Sequence, residues 1–421
     1  MMPPWIEPTT WLQAMAVLSL LLLSLPLALA SAYLLLLTLL SGRPTHPPSA
    51  QGDRDAPHWV SRPIEPFFDV VVPAHDEAGH IATTVTNLLS MDWPRDRFRI
   101  LVLADNCSDD TALRAQAAGA RVIERKNPLQ RGKGHALRHA FAVSLSQGLA
   151  DAVVVVDADS VVSPGLLRAF AVRLSNGISA MQACHGVLDA RRTPRTRLMA
   201  IAFAAFHRVR SRGRERLALS CGLRGNGWCI TREALQAVPY RAHGLAEDVE
   251  YGLRLALAGI PVRYVDEAEV LSVMHTDAVG SATQRRRWED GRDQLLSGFL
   301  KPLLARHPRS TRRWRRDLAI DLLLPPLAML AAAVGLLWLV CAVVLLAAPE
   351  LAGIAAGTAL AGLLTALALA LHALRGWQLS GTGSQGLREL LRFPRHAAWK
   401  LALRARRGVT GDWIRTRRSP S

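Results

Sequence analysis

Three long aliphatic blocks constrain this chain more than any other feature: Trp11 to Leu40, Leu322 to Ala348, and Leu351 to Leu374. Each exceeds the roughly 20 residues that a helix needs to cross a bilayer. Trp11 to Leu40 has no charged residue at all. Such stretches must be buried in lipid or in a large core, and their length and near-absence of charge favour lipid. A cleaved leader has a shorter apolar centre behind a basic stretch. No Lys or Arg precedes Trp11, so the first block reads as a retained anchor. Aromatics make up only 6% of the chain against 50% hydrophobic residues overall, so the apolar excess is aliphatic and gathers in these blocks.

The formal charge is +17 and comes mostly from Arg. Strong basicity suits nucleic acid or an anionic membrane surface. No finger or recognition-helix motif accompanies it and three spans do, so nucleic acid is excluded as a partner. Arg is dense from 43 to 316 and again after Leu374, but absent from residues 1 to 10 and from the short Ala-Pro-Glu link between the later spans. The positive-inside rule then places the N-terminus outside, and the central region and C-terminus in the cytosol, of a cell inner membrane. The expected order is an extracytoplasmic head (1–10), a span (11–40), a linker (41–66), a cytosolic domain (67–316), two spans (317–348 and 349–374) and a basic tail (375–421). In that tail, LRELLRFPRHAAWKLALRARR has the two-faced character of a helix lying in the membrane interface. The five cysteines show neither CxxC nor metal-ligand spacing and read as free thiols.

From Phe68 the pattern changes. FDVVVPAHDE, FRILVLADNCSDD, ARVIER and DAVVVVDAD read as strands, and the segments between them have helical spacing. Alternating strands and helices predict an α/β domain with a mostly parallel sheet covered on both faces. Ligands of such sheets bind beyond the carboxyl ends of the strands. Polar residues gather there: His75, Asp76 and Glu77; Asp105 and Asn106; Asp157 and Asp159.

Asp157 and Asp159 sit one residue apart at the end of an apolar strand. Two adjacent carboxylates repel, and burial disfavours their ionisation. A divalent cation removes that penalty, and Mg2+ or Mn2+ commonly combines one or two carboxylates with phosphate oxygens. Glu247 and Asp248 open a helical segment, where the helix dipole favours negative charge. A positioned carboxylate there can take the proton of an alcohol acceptor. Gln284, Arg287 and Trp288 fall close to one helix face. Arg287 can grip a phosphate with two donors, and Trp288 offers a flat wall to a sugar ring. Arg285 and Arg286 read instead as a basic patch facing lipid phosphates. Lys133, between Gly132 and Gly134 at a helix start, suits a phosphate, although the chain lacks the spacing of a Walker loop.

In order, the motifs are P-A-H-D-E at 73 to 77, A-D-N-C-S-D-D-T at 104 to 111, G-K-G-H-A-L at 132 to 137, D-A-D at 157 to 159, E-D at 247 to 248 and Q-R-R-R-W at 284 to 288. This series resembles the membrane-bound family 2 glycosyltransferases, the branch of cellulose, chitin and hyaluronan synthases and of exopolysaccharide or glycolipid transferases. The resemblance implies a GT-A fold and a nucleotide-sugar donor, usually a UDP-sugar. It implies that Pro73, Glu77 and Asp105 line the nucleoside pocket, with Lys133 close to the nucleotide. Asp157 would face the nucleotide and Asp159 would ligate the metal. Asp248 would be the base, and Glu247, Gln284, Arg287 and Trp288 would flank the diphosphate and acceptor. Three features depart from the family pattern. The second motif reads A-D-N-C instead of D-D-G-S, Ala246 stands where polymer synthases often have Thr, and three spans are few for a polymer channel.

The expected activity is inverting, metal-dependent transfer of a sugar to a hydroxyl of a polysaccharide or lipid acceptor at the cytosolic membrane face, with export or polymer-synthesis subunits as partners. The second reading is a non-catalytic membrane subunit that binds nucleotide-sugar or polysaccharide.

Overall fold

The computed structural model describes residues 8–42, 65–274 and 278–390. Its strands are β1 (Phe68–Ala74), β2 (Phe98–Asp105), β3 (Arg121–Arg125), β4 (Ala152–Val155), β5 (Ser160–Val162), β6 (Ala180–Val187), β7 (Trp228–Thr231) and β8 (Arg263–Ser272). They form one sheet in the order β3-β2-β1-β4-β7-β6-β8-β5. β1 to β4 pair in parallel, as the strand–helix alternation predicts. Beyond β4 the sheet is mixed, not mostly parallel. β7 is antiparallel to β4 and β6, and β5 is antiparallel to β8, while β6 and β8 run parallel. Trp228, the first residue of β7, pairs with Val155, the last of β4. The chain therefore enters β7 from the carboxyl rim and runs back beside β4.

The first helices are α1 (Pro8–Leu39), α2 (Ile81–Leu89), α3 (Thr111–Ala117), α4 (Lys133–Gln147) and α5 (Leu166–Ser175). Next come α6 (Pro194–Phe203), a π-helical turn (Ala204–Val209), α7 (Arg210–Arg216), α8 (Arg232–Ala237) and α9 (Glu247–Leu257). The last are α10 (Ala278–Leu304), α11 (Arg309–Leu323), α12 (Leu327–Ala347), α13 (Ala352–Leu379) and α14 (Gly383–Leu390).

Successive residues of a strand face opposite sides of a sheet, and here both sides are apolar. Val70, Val72 and Val154 pack against α2 and α5 through Val85, Leu88 and Phe170. Val71, Val153 and Val155 pack against α4 and α9 through Leu137, Phe141 and Tyr251. The continuous valines of β1 and β4 are the signature of a strand buried on both faces.

α1, α12 and α13 share a separate apolar cluster that includes Leu27, Leu34, Val334, Leu337 and Leu369. Gln13–Leu39, Leu327–Ala347 and Pro349–Leu379 are long and apolar enough to cross a membrane. Pro325 and Pro326 interrupt the helix before Leu327, since proline disfavours helix in the residue ahead of it. α11 is consequently a helix of its own, packed through Trp314, Leu318 and Leu322 against Leu253 of α9 and Leu295 and Leu303 of α10. α7 meets α1 closely: a Cβ on Gly213 would lie 2.6 Å from the Leu37 carbonyl oxygen. Of the basic tail, the first part is helical; α14 docks on α6 through the 3.0 Å Arg197–Glu389 ion pair. The tail beyond Leu390, most of the linker and the first residues of the head lie outside the described residues.

Candidate active site

Lys133 stands at the centre of the rim. Gly132 precedes it with φ at 113°, a conformation open to glycine and strained for other residues. Gly134 follows it at a point of contact, where a Cβ would lie 2.3 Å from the carbonyl oxygen of Ala242. The start of α4 can press against the loop before α9 only because no side chain intervenes. The Lys133 ammonium thereby reaches Asp157 Oδ1 at 2.9 Å, Asp248 Oδ2 at 2.8 Å and Glu247 Oε1 at 3.7 Å. It also donates to the Gly225 carbonyl at 2.7 Å. Burial pulls its proton affinity down, but the carboxylates of Asp157, Asp248 and Glu247 outweigh burial and hold it above the ordinary lysine value.

Asp248 is buried in the first turn of α9. Its Oδ1 accepts from Trp228 Nε1 at 2.9 Å, while Oδ2 accepts from Lys133. Burial raises its proton affinity; Lys133 and the Trp228 donor oppose the rise without cancelling it, so its pKa stays above the ordinary carboxylate value. A buried carboxylate of raised proton affinity at the rim is the kind of group that serves as a base at a functional site.

The backbone amide of Asp157 donates to Asn226 Oδ1 at 3.0 Å. Asn226 Nδ2 in turn donates to Ser160 Oγ and Ser272 Oγ at 2.7 and 2.8 Å. The counter-charge that the sequence suggested for Asp157, a divalent ion, is therefore supplied here at least partly by Lys133. Asp157 and Asp159 offer oxygen ligands only, a donor set that fits a hard divalent ion completed by phosphate oxygens and water. Among the described residues, one group of three brings ligand atoms within 4.8 Å of one another: His75, Asp76 and Cys107, at the ends of β1 and β2. Its nitrogen, oxygen and sulfur atoms suit softer metals than Mg2+.

The residues expected at the nucleoside pocket lie on the β1–β2–β3 side of the rim. Pro73, the last residue but one of β1, pairs with Leu103. The amide of Glu77 donates to Thr111 Oγ1 at 2.7 Å, and its carbonyl accepts from His80 and Ile81 at 3.0 and 2.9 Å. Asp105 is buried and accepts from Arg125, which also donates to the Gln130 carbonyl at 2.9 Å. Asn106 has φ at 52°. It occupies the position of the glycine in D-D-G-S, and asparagine tolerates that left-handed conformation better than most residues. The A-D-N-C departure therefore keeps the turn. The Asn106 side chain accepts from the Asn127 amide at 2.7 Å through Oδ1, while its buried Nδ2 has no partner among the described residues.

Glu247 and Asp248 follow Ala246, which packs directly on Gly291 of α10. A Cβ on Gly291 of α10 would lie 2.9 Å from Ala246 Cβ. This contact brings α10, within a turn of Trp288, to the start of α9. Gln284, Arg287 and Trp288 are on α10, and their side chains lie outside the described residues.

The structure thus joins Lys133, Asp157, Glu247 and Asp248, with Asp159 two residues from Asp157 and Pro73, Glu77 and Asp105 further along the rim. Sequence reasoning missed Arg125, Asn226 and Trp228. The Gly-rich stretch CGLRGNGW that contains the last two is conspicuous, but nothing in its spacing says which residues it touches. It also missed His185 on β6, whose Nε2 is 2.9 Å from Ser272 Oγ and which burial pushes down to about 4.

The profile of the glycosyltransferase-like family 2 matches residues 66–291. The chain is 26% identical over 258 residues to the probable glycosyltransferase YdaM of Bacillus subtilis, covering 59% of this chain and 60% of that one. It is 29% identical over 246 residues to a beta-monoglucosyldiacylglycerol synthase of Synechocystis, covering 54% and 48% respectively. It therefore spans about half to three-fifths of the length of these relatives. A mannosyltransferase from Pyrobaculum calidifontis, solved with GDP-Man and Mn2+, superposes with a TM-score of 0.53 at 19% identity, covering 85% of this chain and 98% of that one; at that identity the likeness shows the GT-A fold. With more than half of its residues matched by the profile, the chain belongs to the glycosyltransferase-like family 2.

Proposed function

We propose that this protein transfers a sugar from a nucleotide-diphosphate sugar to a hydroxyl of a lipid or polysaccharide acceptor at the cytosolic face of a membrane, with inversion and with help from Mg2+ or Mn2+. One observation carries the reading: a single ammonium, Lys133, ties Asp157 to Asp248. The carboxylate expected to face the donor and the one expected to act as base thus meet at one point.

Asp248 takes the proton of the acceptor hydroxyl as its oxygen attacks the anomeric carbon. Its raised proton affinity makes it a stronger base than an exposed aspartate, while the Lys133 ammonium favours its ionised form. Donor phosphate oxygens compete with Asp248 for Lys133, so the lysine also places positive charge beside the leaving diphosphate. Pro73, Glu77 and Asp105 bound the nucleoside, with Arg125 fixing the Asp105 carboxylate. Gln284, Arg287 and Trp288, on the helix that meets the start of α9, are assigned by the family resemblance to the diphosphate and acceptor. A divalent ion held by Asp159 would neutralise further charge on the departing diphosphate. One direct displacement turns an α-linked donor into a β-glycoside.

Relatives named as glycolipid synthases and the three apolar helices support a lipid-borne acceptor, and UDP is the nucleotide we favour. Full-length protein in membranes, incubated with a panel of radiolabelled nucleotide-sugars and then extracted and sized, tests the reading. Label moving from one donor into an extractable lipid or a polymer is the expected result. The absence of transfer from every donor in the panel, with folded protein present, would overturn it.

A further inference from the structure

Residues 222–227, between α7 and β7, touch the catalytic cluster at one end and a buried charge cluster at the other. On the catalytic side, the Gly225 carbonyl accepts from Lys133 and Asn226 Oδ1 accepts from the Asp157 amide. The Gly227 amide donates to the Val155 carbonyl at 3.0 Å. Gln182 braces the bend, accepting from the Arg224 amide and donating to the Asn226 carbonyl, both at 2.7 Å. α9 presses on the same loop, since a Cβ on Gly252 would lie 2.8 Å from the Leu223 amide nitrogen.

At the other end the guanidinium of Arg224 meets Asp321 of α11 at 3.0 Å. Asp321 also meets Arg214 at 2.6 Å and Arg210 at 3.5 Å, both on α7. Arg214 continues to Asp317 at 2.9 Å, and Tyr33 of α1 donates to Asp317 at 2.7 Å. Three guanidiniums thus face two carboxylates, nearly all of it buried, with Asp321 itself 10% exposed. Desolvation makes such a cluster a poor way to gain stability compared with apolar packing. What charge-assisted contacts do supply is fixed geometry. α11 leads directly through Pro325 and Pro326 into α12, and Tyr33 belongs to α1, so the geometry is referred to the membrane helices.

We propose that Asp321 is a positioning residue for the transfer reaction: through Arg224 it holds residues 222–227, and with them the placement of Lys133 and Asp157 relative to Asp248. The proposal rests on the reading of Asp248 as the base. It makes the seating of the domain on its membrane helices a determinant of rate. On the nucleoside side of the rim Arg125 bonds to Asp105 and to the Gln130 carbonyl, away from residues 222–227, so the affinity for the nucleoside is expected to be spared.

The test uses the full chain in detergent or nanodiscs, with the donor found active for the wild type. Asp321→Asn and Arg224→Lys are each expected to lower kcat about tenfold or more and to move the acid limb of the pH–rate profile, because Lys133 no longer sits correctly beside Asp248. The affinity for the donor's free nucleoside, which carries no phosphate to meet Lys133, should stay within about twofold. The double variant should be no worse than the poorer single one. Arg224→Lys keeps the charge but replaces the planar guanidinium, whose Nη2 meets Asp321, with a shorter ammonium, so it reports even where Asp321→Asn does not fold. An unmoved acid limb with activity falling only in proportion to folded protein would overturn the proposal, as would an unchanged kcat in Arg224→Lys. Failure of the base assignment is separate: it would appear as retained transfer in Asp248→Asn.

Discussion

The Nζ of Lys133, at the first position of α4, lies 2.8 Å from Oδ2 of Asp248, at the start of α9. The two are far apart in the chain and belong to different helices. Their contact turns a buried carboxylate into one half of an ion pair whose other partner is Asp157.

Asp248→Asn keeps the shape of the side chain and removes its ability to take a proton. Transfer should fall by at least about 100-fold, while the affinity for nucleotide-sugar, read by calorimetry, stays near that of the wild type. Transfer at the wild-type rate would remove Asp248 from the base role.

Lys133→Met leaves Asp157 and Asp248 facing each other without a counter-charge. Lys133 is 25% exposed, so solvent screening keeps the cost below the roughly 3–5 kcal/mol of a fully buried pair; it is seen as a lower unfolding midpoint. The sign of the pH effect follows from the base role. Asp248 already binds its proton more tightly than an ordinary aspartate, chiefly through burial, and Lys133 is what restrains that shift. Activity falls as pH drops through the Asp248 pKa, so in Lys133→Met the acid limb of the rate profile should move to higher pH. A limb at unchanged pH would mean that Lys133 does not govern the ionisation of Asp248.

Trp228→Phe removes the other donor to Asp248 and keeps an aromatic ring in the core. A hydrogen bond to a charged group is worth about 1.5–3 kcal/mol. The rate at neutral pH should fall about tenfold and the acid limb should again rise, with nucleotide binding unaffected. Rates and the limb equal to those of the wild type would show that the indole N–H does not support the carboxylate.

EDTA should abolish transfer, and Mg2+ or Mn2+ should restore it. In Asp159→Asn the metal concentration for half-maximal activity should rise about tenfold or more, since a carboxylate ligand is lost. Full activity in EDTA would leave Lys133 as the counter-charge for the diphosphate.

His185 is held neutral by burial, its pKa near 4 against an ordinary 6.5, beside His207, Lys133 and Asp157. Between those values the unfolded chain binds a proton that the folded one does not, so stability should fall as pH drops from about 6.5 to 4. The loss is at most about 3 kcal/mol, from 1.36 kcal/mol per pKa unit. His185→Asn should flatten the unfolding midpoint over this window; an unchanged slope would assign the acid sensitivity to other groups.

Much of this molecule was legible from the chain alone. The apolar blocks are longer than a bilayer is thick and nearly free of charge, so few physical environments accept them, and three helices long and apolar enough to span appear close to the expected places. The valine runs of β1 and β4 announce strands covered on both faces, and polar residues after strands must gather on one rim, because parallel strands end on the same side. Local order in the sequence could not fix the partners across that rim. β7 runs against β4 because the chain reaches it from the carboxyl end, which no period in the sequence reveals. Asp157 looked like a group awaiting a metal, because nothing in its neighbourhood in the chain is positive. Lys133, brought in by glycines at 132 and 134, supplies that charge through space. Likewise Asn226, Trp228 and Asp321 gain their roles only from contacts between segments distant in sequence. Residue type and spacing determined which elements form and which faces are apolar; the packing of those elements decided which charges meet, because electrostatic partnership depends on distance in space and not on distance along the chain.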